Sequence, residues 1–131
     1  SNIEPQDVQN ALNIITTTSP SYPLLANIEG TIEFLHSAKG KKELSELVSN
    51  IFALIRNLKQ IPNIDVYCDN NDITKILVKI LNVSGFDLSN LLFDKYNIED
   101  ELANEKSVLF VTGIGTTKAK FKKLEKALID V

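Results

Sequence analysis

The sequence predicts an α+β fold, with helices first and then a small antiparallel or mixed sheet of three or four strands carrying helices on one side. Three observations predict it. Apolar residues recur at three- and four-residue spacing through residues 5 to 58, the mark of amphipathic helices. Two later runs, Lys75 to Leu81 and Ser107 to Thr112, are rich in β-branched and apolar types and bounded by polar turns, as central strands are. After each comes a turn with glycine, at Gly85 and at Gly113 and Gly115, that opens another amphipathic stretch.

In chain order, Pro5 with Val8, Leu12 and Ile15 at helical spacing predicts a short helix over 5–15 with proline in its first turn. Residues Thr16 to Pro23 then gather five hydroxyl side chains, a phenol and two prolines into eight positions. Such a stretch reads as a loop becoming a helix N-terminus, where Ser or Thr caps open N–H groups and the dipole favours an anion. A plain cap with no ligand is the bland alternative. Leu24, Leu25, Ile28, Ile32 and Leu35 continue as one buried stripe on a helix reaching about Ser37, with His36 at its partly exposed end. No metal partner stands at helical spacing from that histidine.

Lys39-Gly40-Lys41-Lys42 is expected to break the pattern as a solvated joint. Leu44, Leu47, Val48, Ile51, Ile55 and Leu58 then give the strongest helical period of the chain, ended by Pro62. Ile64 to Cys68 reads as a short strand and Asp69 to Asp72 as a turn. A calcium-loop reading of that turn fails, because Thr74 and Ile80 stand where the pattern needs glycine and glutamate. After the strand at Lys75, Asp87 is expected to cap a helix presenting Leu88, Leu91, Leu92 and Tyr96, with Asn97 as a left-handed stop. Ile98 to Ala103 alternates and predicts a partly exposed strand. Its carboxylates, Glu99, Asp100 and Glu101, would point to opposite faces and cannot converge on one substrate.

The Gly113-x-Gly115 pair between strand and helix lacks the third glycine and acidic partner of a dinucleotide site. Thr116 or Thr117 caps the last helix instead, with Ala119, Phe121, Leu124 and Leu128 inward. Lys118, Lys120, Lys122, Lys123 and Lys126 are read as its wet face.

Composition excludes several classes. The 131 residues suit one domain with a real core, and 44% apolar with 24% charged content argues against disorder. Fourteen basic against seventeen acidic residues leave a net charge of −3, so no general attraction for nucleic acid or anionic membrane is expected. A single cysteine, Cys68, forms no intrachain disulfide and supplies no cysteine-rich zinc site. No run approaches the roughly 18 apolar residues of a membrane span, and no signal-peptide pattern opens the chain, which predicts a cytoplasmic location. The Ser-Asn start without methionine suggests a piece of a longer protein.

The run TTTSPSYPLLA at residues 16–26 resembles the TTSPSY segment of the pyridoxal-phosphate-dependent ornithine/lysine/arginine decarboxylases, enzymes of aminotransferase-like fold. DNNDITKILVKI at 69–80, the helix opening at Gly85-Phe86-Asp87, and YNIEDELANEKSVLFVTG at 96–113 follow in the same order, so the resemblance extends from about Val8 to Leu128. It implies a C-terminal fragment: residues 1–38 as the tail of the large cofactor-binding domain and the start of a helical connection, residues 39–131 as the small C-terminal domain. It further implies that Thr17, Thr18, Ser19 and Ser21 lie near the cofactor phosphate or a dimer interface, with Tyr22 beside them. The parent would be a decarboxylase of a basic amino acid working as a homodimer or larger assembly.

The family's cofactor-binding lysine, its Asp on the pyridine nitrogen and its stacking ring precede the TTSPSY segment. No Ser-x-His-Lys precedes Thr16 here, so no catalytic residue is assigned. The fragment alone is expected neither to hold pyridoxal phosphate nor to turn over. A non-catalytic α+β interaction or regulatory domain, its hydroxyl turn merely structural, is the alternative.

Overall fold

The computed structural model describes residues 4–16, 19–68 and 72–131. The chain divides into two compact units, residues 1–38 and 39–131. The first holds α1 (Pro5–Ile15) and α2 (Tyr22–His36). The second holds α3 (Ala38–Leu58) but for its first residue, then β1 (Ile64–Cys68), β2 (Lys75–Ile80), α4 (Gly85–Tyr96), β3 (Leu102–Ala103), β4 (Val108–Val111) and α5 (Lys118–Ile129). The fold is α+β, as expected.

In the first unit the helices stand where periodicity places them, but their apolar faces are open. Neither α1 nor α2 contains a buried residue. Leu24, Leu25, Ile28 and Ile32, expected as a buried stripe, are all more than half exposed or at the half mark. The periodicity is genuine, and the first unit by itself does not cover the face it marks. Covering one such side chain would stabilise by about 1.5–3 kcal/mol.

The second unit closes its own core. All four strands pair antiparallel in the order β1-β2-β4-β3. Ile64 pairs with Ile80, Val66 with Val78 and Ile76 with Phe110, so alternate residues of three strands share one buried face. Against that face lie Leu47, Ile51, Leu54 and Leu58 of α3, Leu88 and Leu92 of α4, and Phe121, Leu124, Ala127 and Leu128 of α5. In α5, Ala127 takes the inward place expected for Ala119, which is exposed.

Three local readings are corrected. Lys39 to Lys42 is no joint: α3 already begins at Ala38, and the pattern breaks only at Ser37, whose N–H and hydroxyl donate to the last carbonyls of α2. Lys39 and Lys42 reach Glu43 and Glu46 one turn on, at 3.9 and 3.8 Å, loose pairs that still favour helix. The α4 cap is Ser84 and not Asp87. The Ser84 Oγ accepts from the Asp87 N–H at 3.0 Å and donates to the Asp87 carboxylate at 2.6 Å, so Asp87 completes the cap from the third helical position. Finally, strand structure covers only Leu102–Ala103 of the expected 98–103. Ile98 turns in against the core, and Asp100 accepts from the Ser89 hydroxyl of α4, which holds that stretch as a loop.

Two positions show why the chain turns where it does. Asn97 sits in the left-handed region at φ 49°, and the N–H groups of Asn97 and Ile98 close the end of α4 on Phe93 and Leu92. Gly85 lies so close to the β3–β4 turn that a Cβ there would stand 2.2 Å from the Asn104 carbonyl oxygen and 2.3 Å from that of Ser107. That turn is itself pinned, because Asn104 Oδ1 accepts from the N–H groups of Lys106 and Ser107. Only glycine fits between them.

Candidate functional site

The hydroxyl-rich turn is the candidate site, and its described part is Thr16, Ser19, Pro20, Ser21 and the start of α2. Thr17 and Thr18, two of the four expected phosphate-side residues, lie outside the described residues. Thr16 ends α1 by donating both its N–H, at 2.9 Å, and its hydroxyl, at 2.7 Å, to the Leu12 carbonyl. Its proton is therefore spent on the helix.

Ser21 is the N-cap of α2, in extended backbone at φ −81° and ψ 104°, yet its side chain makes no capping hydrogen bond. A serine in this position normally accepts from the second or third N–H of the helix, and forgoing that bond costs about 1 kcal/mol. Here Pro23, in the first turn, has no N–H to offer, which leaves Tyr22 and Leu24 with open donors at the positive end of a fifteen-residue helix. Ser19, Ser21 and Tyr22 are all exposed, so the Ser21 hydroxyl, which makes no cap bond, is accessible beside the open N–H donors of α2. That arrangement can hold an anionic oxygen.

What the turn lacks is equally informative. Residues 1–38 contain Glu4, Asp7, Glu29 and Glu33 and no lysine or arginine at all; the fourteen basic residues all lie in 39–131. Donors for a phosphate are present, and no amine that could bond covalently to a carbonyl cofactor accompanies them in this unit. His36 ends α2, exposed, where a ring N–H suits the carbonyl end of a helix.

The other sequence candidates take structural places. Gly113 and Gly115 need no special backbone, since neither has a positive φ and neither has an atom within 4 Å of a built Cβ. The segment is a turn in which the Gly113 N–H donates to Thr116 Oγ1 and Thr117 caps α5. Among Glu99, Asp100 and Glu101, only Asp100 has a fixed partner, Ser89. Cys68 is half-buried and its thiol reaches the Ile73 carbonyl at 3.5 Å. Among the described residues no group of three His, Cys, Asp or Glu could hold a metal, and no helix is long and apolar enough to cross a membrane.

Two of the surface clefts of the second unit are lined by none of the turn's residues. One, of about 580 Å³, lies between Glu43, Glu46 and Asn50 of α3 and Thr116 to Lys118 at the start of α5. The other, of about 470 Å³, is bordered by Lys120 and Lys123. Sequence reading placed both lysines on a wet face; their three-residue spacing on a helix, which puts them side by side, was the available signal.

No family model matches the chain. Sequence relatives do: it is 32% identical over 136 residues to an arginine decarboxylase of Bacillus anthracis, and 29% identical over 138 residues to one of Halalkalibacterium halodurans. Each match covers 95% of this chain and 27% of the relative, so the chain spans about a quarter of the proteins it matches. Among solved structures, a Francisella novicida lysine decarboxylase superposes with a TM-score of 0.67 at 19% identity, and the constitutive lysine decarboxylase of E. coli with 0.68 at 18%; both matches cover 99% of this chain and 24% of the other. The structures establish a shared fold and the relatives a shared sequence along nearly all of it. Over nearly its whole length the chain is similar to arginine decarboxylases, and it fits a C-terminal fragment of an Orn/Lys/Arg decarboxylase.

Proposed function

We propose that this chain is part of a pyridoxal-phosphate-dependent decarboxylase that converts lysine, ornithine or arginine, with uptake of a proton, into the corresponding amine and carbon dioxide. The observation that carries the reading is the turn before α2, where a serine stands at the cap position with its hydroxyl uncommitted and the helix donors open. It sits within the run that resembles the decarboxylases' TTSPSY segment, and the arginine decarboxylases match 95% of the chain around it. Residues 1–38 contribute to the large cofactor-binding domain and 39–131 form the small domain.

The residues present fit one end of the cofactor. Thr17, Thr18, Ser19 and Ser21 would hold the phosphate by hydrogen bonds, and the α2 N-terminus would add its dipole. Tyr22 packs beside them. When bound, pyridoxal phosphate supplies the electron sink that lets carbon dioxide leave. The anchoring lysine and the acid on the pyridine nitrogen come from the remainder of the parent chain, which is why the 131 residues alone neither hold the cofactor nor turn over. The parent is cytoplasmic and a homodimer or larger assembly, with this turn at or near the contact between subunits.

The test is made on the parent protein. It should absorb as a cofactor-bound enzyme and release carbon dioxide from one of the three basic amino acids, and Ser19→Ala with Ser21→Ala should weaken cofactor retention about tenfold or more while the fold persists. Retention unchanged in that double variant removes the turn from the cofactor site. A gene that opens immediately before Asn2, with a product that binds no pyridoxal phosphate, favours the non-catalytic interaction domain instead. That reading has one observation on its side, since residues 39–131 close a core without help.

A further inference from the structure

We propose that the cleft bordered by Lys120 and Lys123 is a binding site for a small organic anion with an apolar body, such as an aryl phosphate or carboxylate. The inference does not rest on the decarboxylase reading. The cleft measures about 470 Å³, within the range of small-molecule sites, and its floor is apolar. Phe110 of β4 and Leu124 of α5 are buried beneath it, and half-buried Ile98 forms a side. Two ammonium groups stand at its rim, held apart by different walls: Lys120 Nζ donates to the Gly115 carbonyl at 3.2 Å, and Lys123 Nζ to the Asn97 carbonyl at 3.1 Å.

Those two bonds are what distinguish this pair from the other lysines of α5. Each ammonium spends one of its three protons on a backbone oxygen, which fixes its position and leaves two donors for a ligand. Neither takes part in an ion pair among the described residues, where the pairs are Lys39–Glu43, Lys42–Glu46 and Lys75–Asp72. Glu99 also lines the cleft and sets the charge there at one net positive, so an anion is favoured and a cation is not. Thr116 adds a hydroxyl on the same wall. An anion alone would gain little from exposed lysines in water; an anion whose body also covers the apolar floor gains from both.

The experiment is an amide NMR titration of the 131-residue chain with phenyl phosphate, with benzoate, inorganic phosphate and benzyl alcohol run in parallel. Phenyl phosphate or benzoate should give saturable shifts centred on Ile98, Thr112, Thr116, Lys120 and Lys123, at concentrations where inorganic phosphate and benzyl alcohol do not saturate. Lys120→Gln and Lys123→Gln should each weaken that binding about threefold to fivefold, and the pair together should abolish saturation, whereas Lys118→Gln leaves it unchanged. All three are surface changes, and the dispersion of each variant's own spectrum reports its folding. Shifts that never saturate, saturation by inorganic phosphate alone, or saturation that survives the double variant would each overturn the proposal.

Discussion

The two units read alike in sequence and differ in what they bury. Residues 22–36 and 44–58 both carry an apolar stripe at helical spacing, and both are helices. In α3 that stripe gives Leu47, Ile51, Leu54, Ile55 and Leu58 to the core, while in α2 the equivalent positions meet solvent. Periodicity thus reports which face of a helix is built for contact. Whether the partner belongs to the same stretch of chain is a separate matter, and in α2 an unburied stripe is what a piece of a larger protein should show.

Substitution in the two stripes gives the largest contrast. Leu58 is fully buried, and Leu58→Ala should destabilise the chain by about 2–5 kcal/mol in urea unfolding. Ile28 is 57% exposed, and Ile28→Ala should stay within about 0.5 kcal/mol of the parent sequence. Equal losses at both sites would break the comparison.

The second contrast lies inside residues 39–131, between a glycine that the packing demands and two that it does not. Gly85→Ala drives a methyl group into the carbonyls of Asn104 and Ser107, neither of which can yield without undoing the β3–β4 turn, and should cost about 3 kcal/mol. Gly115→Ala meets open space and should change stability by less than about 0.5 kcal/mol. Thermal melts of the two variants decide it, and a benign Gly85→Ala would mean that the turn moves freely against α4.

Much of this fold was legible in the sequence, for reasons that these positions make plain. β1, β2 and β4 were readable because β-branched residues alternate there between a helix-covered face and an open one, and α4 because Asn97 tolerates the left-handed conformation that stops it. The 98–103 stretch was misread because alternation implies strand only where a neighbour is there to pair. Beyond Leu102–Ala103 the chain is held by a side chain, Ser89 on Asp100, which no local pattern announces. The lysine-glycine start of α3 was misread because Gly40 lowers helix propensity by about 1 kcal/mol, which the twenty-one-residue helix around it outweighs. At the candidate site the residue types were legible and the unspent bond of Ser21 was not, since the same sequence fits a capped helix equally well.

A smaller effect follows from removing the first unit. A chain beginning at Ser37 retains every residue of the core, so its melting temperature should lie within about 3 °C of that of the full chain. A larger drop in calorimetry would show that α1 and α2 support the core after all, and the contrast between the units would have to be redrawn.

The smallest effect is expected from charge, and its sign is fixed by the contacts of Asp72. The Asp72 carboxylate accepts from the Thr74 hydroxyl and, at 3.1 Å, from the Thr74 N–H, and it faces Lys75 at 3.2 Å. The Thr74 hydroxyl first and Lys75 next favour the ionised form and hold this carboxyl below its ordinary value of 3.8. The unfolded chain therefore binds the proton more readily than the folded one, so this contribution is present above that value and is lost as pH falls through the lower, folded one. Asp72→Asn should accordingly melt slightly below the parent sequence near neutral pH, with the gap closing below about pH 4. Partial exposure of the Asp72 side chain to solvent keeps the gap small, of the order of a degree or two in melting temperature. A gap that does not begin to shrink as pH falls below about 4 would trace the loss to the shape of the turn and not to the charge of the carboxylate.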